Sequence, residues 1–209
     1  MFNPAAYSKI KSEIPKEVKI LAATKSKPPR DIIEAVKAGI KLIGENYVQE
    51  ASEKYKLLNK LFEQESIEFH LIGHLQTNKV QEAIKIFDCI QTLDSEKLAI
   101  KLDKECRRLN KKIKVMIEIN FGEESKSGIK LENLDKLIKR VRGLSNLNLV
   151  GLMSIPPIGK EETCFKKIQE LKNQYNLQEL SIGMSSDYLT AIKNGSTLIR
   201  LGTILFGER

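Results

Sequence analysis

Short apolar runs alternate with longer amphipathic stretches along the chain. The runs are Val18–Thr24, Ile40–Gly44, Glu68–Gly73, Asp88–Leu93, Ile113–Asn120, Leu147–Met153, Glu179–Gly183 and Thr197–Leu201. Runs this short, bounded by glycine, proline and polar clusters, read as buried strands. Between them the apolar residues recur at helical spacing. Ile32, Ile33 and Val36 form one stripe, closed by Gly39; Leu131, Leu134, Leu137, Ile138 and Val141 form another, closed by Gly143. Leu57, Leu58 and Leu61; Val80, Ala83 and Ile84; Leu98, Ile100 and Leu102; Cys164, Phe165, Ile168 and Leu171; and Tyr188, Leu189 and Ile192 mark the rest. Pro4 to Ile14 predicts an extra leading helix. Alternation of this kind implies parallel strands joined by crossover helices. Eight strands in 209 residues favour a single-domain (β/α)8 TIM-type barrel over a doubly wound sheet. No Gly-x-Gly-x-x-Gly follows the first run, and no repeat or linker divides residues 1–209.

Composition narrows the partners. The net charge is +8, but lysines are interleaved with glutamates, as in Glu50 to Lys60. The most basic stretch, Arg107 to Lys114, lacks interleaved aromatics and suits the cation-favouring end of a helix. Nucleic acid is therefore not an expected partner. Cys89, Cys106 and Cys164 are odd in number and far apart, which suggests neither a disulfide framework nor a zinc knuckle. The N-terminus carries no apolar signal region, and no stretch approaches membrane-spanning length. A soluble, cytoplasmic chain with no membrane partner is expected.

In a barrel, chemistry gathers at the C-terminal ends of the strands. The first run ends at Lys25, just before Pro28 and Pro29. A lysine half withdrawn from water there is prepared to act as a Schiff-base amine. Equally, it could end a strand and reach to solvent. The last two runs lead into Gly183-Met184-Ser185-Ser186 and Gly202-Thr203, which offer free backbone N–H groups and hydroxyls at helix starts. Such positions suit a phosphate; an ordinary helix cap is the plainer reading. Together, facing Lys25, they suggest a phosphorylated carbonyl compound held covalently. His70 and His74 lie roughly 13 Å apart along a strand, too far to share a zinc ion. Met116, Met153 and Met184 read as packing residues, and Glu118 as a buried acid whose face is left open.

These motifs resemble a known family. Ala22-Ala-Thr-Lys25-Ser-Lys-Pro28, Gly44-Glu-Asn-Tyr-Val-Gln-Glu50, Phe69-His-Leu-Ile-Gly-His-Leu-Gln-Thr-Asn-Lys79, Gly151-Leu-Met153, Gly183-Met-Ser-Ser-Asp187 and Ile199-Arg-Leu-Gly-Thr-Ile-Leu-Phe-Gly207 are similar to those of the pyridoxal phosphate homeostasis proteins, single-domain relatives of the alanine racemase barrel. The resemblance implies a site for pyridoxal 5'-phosphate (PLP). Lys25 would form the internal aldimine, Ser185, Gly202 and Thr203 would hold the phosphate, and Arg200 would face the pyridine nitrogen. Asn46, Met153 and Met184 would line the pocket. Phe69 stands where the family usually has tryptophan and Gly122 where serine is frequent, departures that touch no implied cofactor contact.

Arginine only donates hydrogen bonds, so beside the pyridine nitrogen it leaves the ring a poor electron sink. The resembling racemases add a tyrosine from a second, β-rich domain of the partner subunit, and no such domain is expected after the eighth strand here. Tyr47, Tyr55, Tyr175 and Tyr188 read as helical and Tyr7 as N-terminal, so none is an obvious substitute. The expectation is a PLP-binding regulator without robust catalysis, a monomer whose partners are its cofactor and PLP-dependent apoenzymes. The alternatives are a PLP-dependent amino-acid racemase and a class I aldolase-type barrel with Lys25 attacking a sugar phosphate.

Overall fold

The computed structural model describes residues 1–122 and 127–208. In chain order the elements are α1 (Pro4–Glu13), β1 (Lys19–Ala23), α2 (Pro29–Lys37), β2 (Leu42–Glu45), α3 (Val48–Gln64), β3 (Glu68–Leu71), α4 (Val80–Ile86), β4 (Cys89–Leu93), α5 (Glu96–Arg108), β5 (Ile113–Asn120), β6 (Ile129–Lys130), α6 (Leu131–Arg142), β7 (Leu147–Ser154), α7 (Glu161–Gln174), β8 (Glu179–Ser181), α8 (Tyr188–Lys193), β9 (Leu198–Leu201) and α9 (Thr203–Phe206). Every strand pairing is parallel, β4 pairs with β5, and β9 returns to β1. Eight strands thus close into a barrel wrapped by helices, while two-residue β6 lies against the end of β5. The expected (β/α)8 barrel with a leading helix is what the chain forms.

Strand alternation sends side chains to two cores. An outer core between strands and helices includes Ile43, Phe69, Leu71 and Phe165. A smaller inner cluster joins Leu21, Leu42, Ile72, Cys89, Met116, Met153 and Leu198. At the N-terminal end of the barrel two ion pairs each reach across an intervening strand: Lys19 of β1 to Glu179 of β8 at 2.5 Å, and Lys114 of β5 to Glu68 of β3 at 3.0 Å. Phe69 stacks with Tyr55 and packs against Phe62 and Phe87 in the outer layer. Its departure from the family pattern is thus a matter of packing beneath the helices.

Several boundaries differ from the sequence reading. Ile40 is not in β2; its N–H bonds back to Ala35 at the end of α2 and its side chain joins the outer core. β8 stops at Ser181, shortly before Gly183 takes a φ of +95° that turns the chain. β6 and α9 were not expected. Tyr47 and Tyr175 cap helices rather than lying within them. Of the loop from Phe121 to Gly128, residues 123–126 lie outside the described residues.

Candidate cofactor site

Strand register decides which residues meet at the C-terminal rim. On β1, Ala23 pairs with Gly44 of β2, and Ala22 with Leu201 of β9. Continuing both ladders past their ends sets Lys25 level with Asn46 on one side and with Ile204, just past the Gly202–Thr203 turn, on the other. Lys25, half-buried, follows Thr24 in the turn before α2, whose first residue is Pro29. Among the described residues no hydrogen bond or ion pair engages its amine.

That turn is braced from below by a cluster the sequence reading missed. Thr24 Oγ1 donates to Glu45 Oε1 at 2.5 Å. Lys54 Nζ, on α3, donates to the Thr24 carbonyl at 2.7 Å, to Glu45 Oε1 at 2.6 Å and to Glu50 Oε1 at 2.7 Å. Glu50 Oε1 also accepts from the Ser26 N–H at 2.6 Å, holding a non-glycine residue at a φ of +61°. Glu45 is fully buried, and its Oε2 has no hydrogen-bond partner among the described residues. Burial pushes its carboxyl above the ordinary range, and Lys54 and Thr24 offset only part of the shift.

On the other side of β1, next to β9, the rim forms an anion cradle. Gly183 turns the chain where a methyl group would sit 2.6 Å from the Ala191 side chain. The turn that follows is locked by Asp187 Oδ1, which accepts from the Met184 N–H. Ser185 Oγ then accepts from the Gly202 N–H at 3.3 Å and the Ile204 N–H at 3.4 Å. One hydroxyl from the loop after β8 thus meets two backbone donors of the loop after β9, joining the two loops expected to bind phosphate. A methyl group at Gly202 would meet only Ala23, at ordinary van der Waals distance, so this turn has room beside β1. Thr203 is exposed at the start of α9. Backbone donors at a turn, a hydroxyl and free space fit a phosphate group.

Beneath the rim lies Arg200, 4% exposed. Its Nη1 donates to the Ser181 carbonyl at 2.6 Å and to Ser181 Oγ at 2.7 Å, and its Nη2 donates to the Ser154 carbonyl at 3.0 Å. Burial lowers its pKa to about 10, so it keeps its charge at neutral pH. Three bonds occupy part of a five-donor fork, and the remainder suits a ring nitrogen lying above it. Met153, fully buried in the inner cluster, pairs with Glu118 of β5 and Ser181 of β8. Met184 is only partly buried, in the loop before Ser185. Asn46 is partly buried, and its backbone is approached so closely by Gly73 that a methyl group on Gly73 would lie 2.2 Å from the Asn46 carbonyl oxygen.

Glu118 is a further buried acid, at 5% exposure. Ser127 Oγ donates to one of its oxygens at 3.1 Å, while the other has no partner among the described residues. Burial raises its pKa, assisted by Asp94 and opposed by Ser127, Arg200 and His74. His70 and His74 separate: His70 is buried within the barrel wall, and His74 lies 3.3 Å from Asp94.

The family model for the alanine racemase N-terminal domain matches residues 5–209. A pyridoxal phosphate homeostasis protein of Aquifex aeolicus is 41% identical over 202 residues, covering 91% of this chain and 87% of that protein. The chain belongs to the pyridoxal phosphate homeostasis protein family. The family's member from Synechocystis is 38% identical, with both chains covered in full. Among solved structures, PipY of Synechococcus elongatus with PLP bound superposes with a TM-score of 0.90 at 33% identity, covering 98% of this chain and 99% of that one. An alanine racemase of Clostridium difficile shares the fold, with a TM-score of 0.77 at 16% identity over 98% of this chain and 56% of that one.

Proposed function

We propose that the protein binds PLP at the C-terminal rim of its barrel and holds it as a cofactor reserve. In this reading Lys25 attaches the cofactor covalently: its free amine adds to the aldehyde carbon, water leaves, and a carbon–nitrogen double bond remains. Ser185, Gly202 and Thr203 bind the phosphate; Arg200 donates to the pyridine nitrogen; Asn46, Met153 and Met184 line the ring. The observation that carries the reading is the joining of the β8 and β9 loops through Ser185 Oγ, beside the end of β1 that leads into Lys25. The PLP bound in PipY supports it.

Holding rather than turnover follows from the electrostatics. An arginine cannot supply the proton that makes the pyridine ring an effective electron sink. The protein acts in this reading as a cytoplasmic monomer, releasing PLP to PLP-dependent apoenzymes. The test is a visible spectrum after PLP is added, followed by borohydride reduction and peptide mapping. A pyridoxyl adduct on Lys25 is expected; no uptake, or an adduct elsewhere, refutes the assignment.

One observation favours the racemase alternative. Glu118 offers a buried carboxyl oxygen without a partner among the described residues, on the strand beside Met153, a group able to move a proton. Exchange of an amino acid's α-hydrogen in heavy water, abolished by Glu118→Gln, would establish that reading over a pure reserve.

A further inference from the structure

The barrel interior contains a chain of polar contacts that the proposed binding site does not by itself require. It begins at Arg200 on β9 and passes to Ser181 on β8 at 2.7 Å. Ser181 Oγ meets Gln91 Oε1 on β4 at 2.6 Å, and Gln91 Nε2 meets His70 Nδ1 on β3 at 2.8 Å. His70 Nε2 lies 3.3 Å from Glu68 Oε2, and Glu68 is held by Lys114 of β5. Ser181 and Gln91 are fully buried, and His70 is nearly so. The interior of such a barrel is ordinarily filled by apolar layers, and a buried polar network is tolerated only when its members satisfy one another.

The placement of the Gln91 amide sets the direction of each bond in this chain. A guanidinium can only donate, so Ser181 Oγ accepts from Arg200, and with Gln91 Oε1 facing it the Ser181 proton goes to that oxygen. The Gln91 NH2 then faces His70, so Nδ1 of His70 accepts. Nε2 then carries the ring proton and donates to the Glu68 carboxylate. Donors therefore run one way from the cation beneath the rim to the anion at the opposite end.

We infer that Ser181, Gln91 and His70 are positioning residues for Arg200: their hydrogen bonds hold the guanidinium in one orientation, with its free donors toward the cofactor ring. The inference rests on the PLP reading for its functional consequence, but the chain itself can be tested without cofactor. With Ser181 fully engaged by Gln91, Arg200 has one arrangement that satisfies every partner. Cutting the chain at Gln91 lets the Ser181 hydroxyl rotate and the guanidinium turn with it.

Two measurements test this. First, nitrogen NMR of the unloaded protein should find one of its two histidines with Nδ1 unprotonated and Nε2 protonated, and the assignment should move to His70 by loss of that signal in His70→Asn. A His70 carrying its proton on Nδ1 overturns the inference. Second, the PLP-loaded Gln91→Leu variant should lose cofactor about tenfold more readily, the size of one hydrogen bond to a charged group. Its visible band should also titrate about one pH unit away from wild type. His70→Asn, which keeps an acceptor for Gln91, should fall nearer to wild type. If Gln91→Leu does not fold, Ser181→Ala carries the same measurement. A folded variant matching wild type in both retention and titration overturns the inference while leaving PLP binding intact. A wild type that takes up no PLP refutes the binding reading, and the NMR arm still decides on the chain.

Discussion

Lys54→Met gives the sharpest test of how the turn carrying Lys25 is held. Lys54 is 6% exposed and makes three hydrogen bonds, two of them to carboxylates. Methionine keeps most of the volume and removes the charge. Glu45, fully buried, is then left with Thr24 as its remaining side-chain donor among the described residues. Breaking a buried ion pair in this way costs roughly 3–5 kcal/mol. Protonation of Glu45 limits that cost. From an ordinary value of 4.5, neutralising a carboxylate at pH 7 requires about 3.4 kcal/mol at 1.36 kcal/mol per unit. The expected loss at neutral pH is thus about 3 kcal/mol. A carboxyl whose folded pKa is raised costs stability fully above that pKa and nothing below its unfolded value. The penalty should therefore shrink as pH falls toward 4.5, leaving about 1–2 kcal/mol for the lost hydrogen bonds. Urea denaturation at several pH values reads this directly, and adding Glu45→Gln should restore about 2 kcal/mol at neutral pH. A penalty below about 1 kcal/mol, or one flat with pH, would refute the reasoning.

Other perturbations separate structure from binding. Lys25→Ala should change stability by no more than about 0.5 kcal/mol, since no hydrogen bond holds its amine among the described residues, yet abolish borohydride-trapped cofactor; a marked loss of melting temperature would contradict this. Ser185→Ala should weaken PLP and inorganic phosphate about tenfold by calorimetry, through loss of the cradle hydroxyl; unchanged phosphate affinity would place the anion elsewhere. The His70 hydrogen bond, joined by Lys114, holds the Glu68 carboxyl down at about 2. Its stabilising contribution is present above 4.5 and lost as pH falls toward 2, so wild type and Glu68→Gln should converge in stability over that window; parallel curves would count against the ion pair. Gly73→Ala, forced against the Asn46 carbonyl, should destabilise by about 3 kcal/mol, as denaturant midpoints would report.

The barrel was legible because apolar runs of strand length alternate with helical stripes, and the place of Lys25 at the rim followed from its position at the end of the first run. The places of Ser185, Gly202 and Thr203, in the loops after the last two strands, followed in the same way. The Thr24–Glu45–Lys54–Glu50 cluster was not, because its members join a strand end to a helix and charged residues on a helix ordinarily face water. Its signal was present in spacing. Lys54 falls on the buried stripe of α3, with Val48, Ala51, Leu58 and Phe62, where a lysine must find a partner. The interior polar chain was hidden for a different reason. Glu68, His70, Gln91, Ser181 and Arg200 come from four strands, and only closure of the sheet brings them together. The short elements β6 and α9 have too few residues to show a period.

The paired charges Lys19–Glu179 and Lys114–Glu68 stopper one end of the cylinder. Whatever lodges at the other end must arrive and depart by one doorway. A molecule there cannot be pushed out from behind, because Leu21, Met116, Met153 and Leu198 fill the barrel between the two ends.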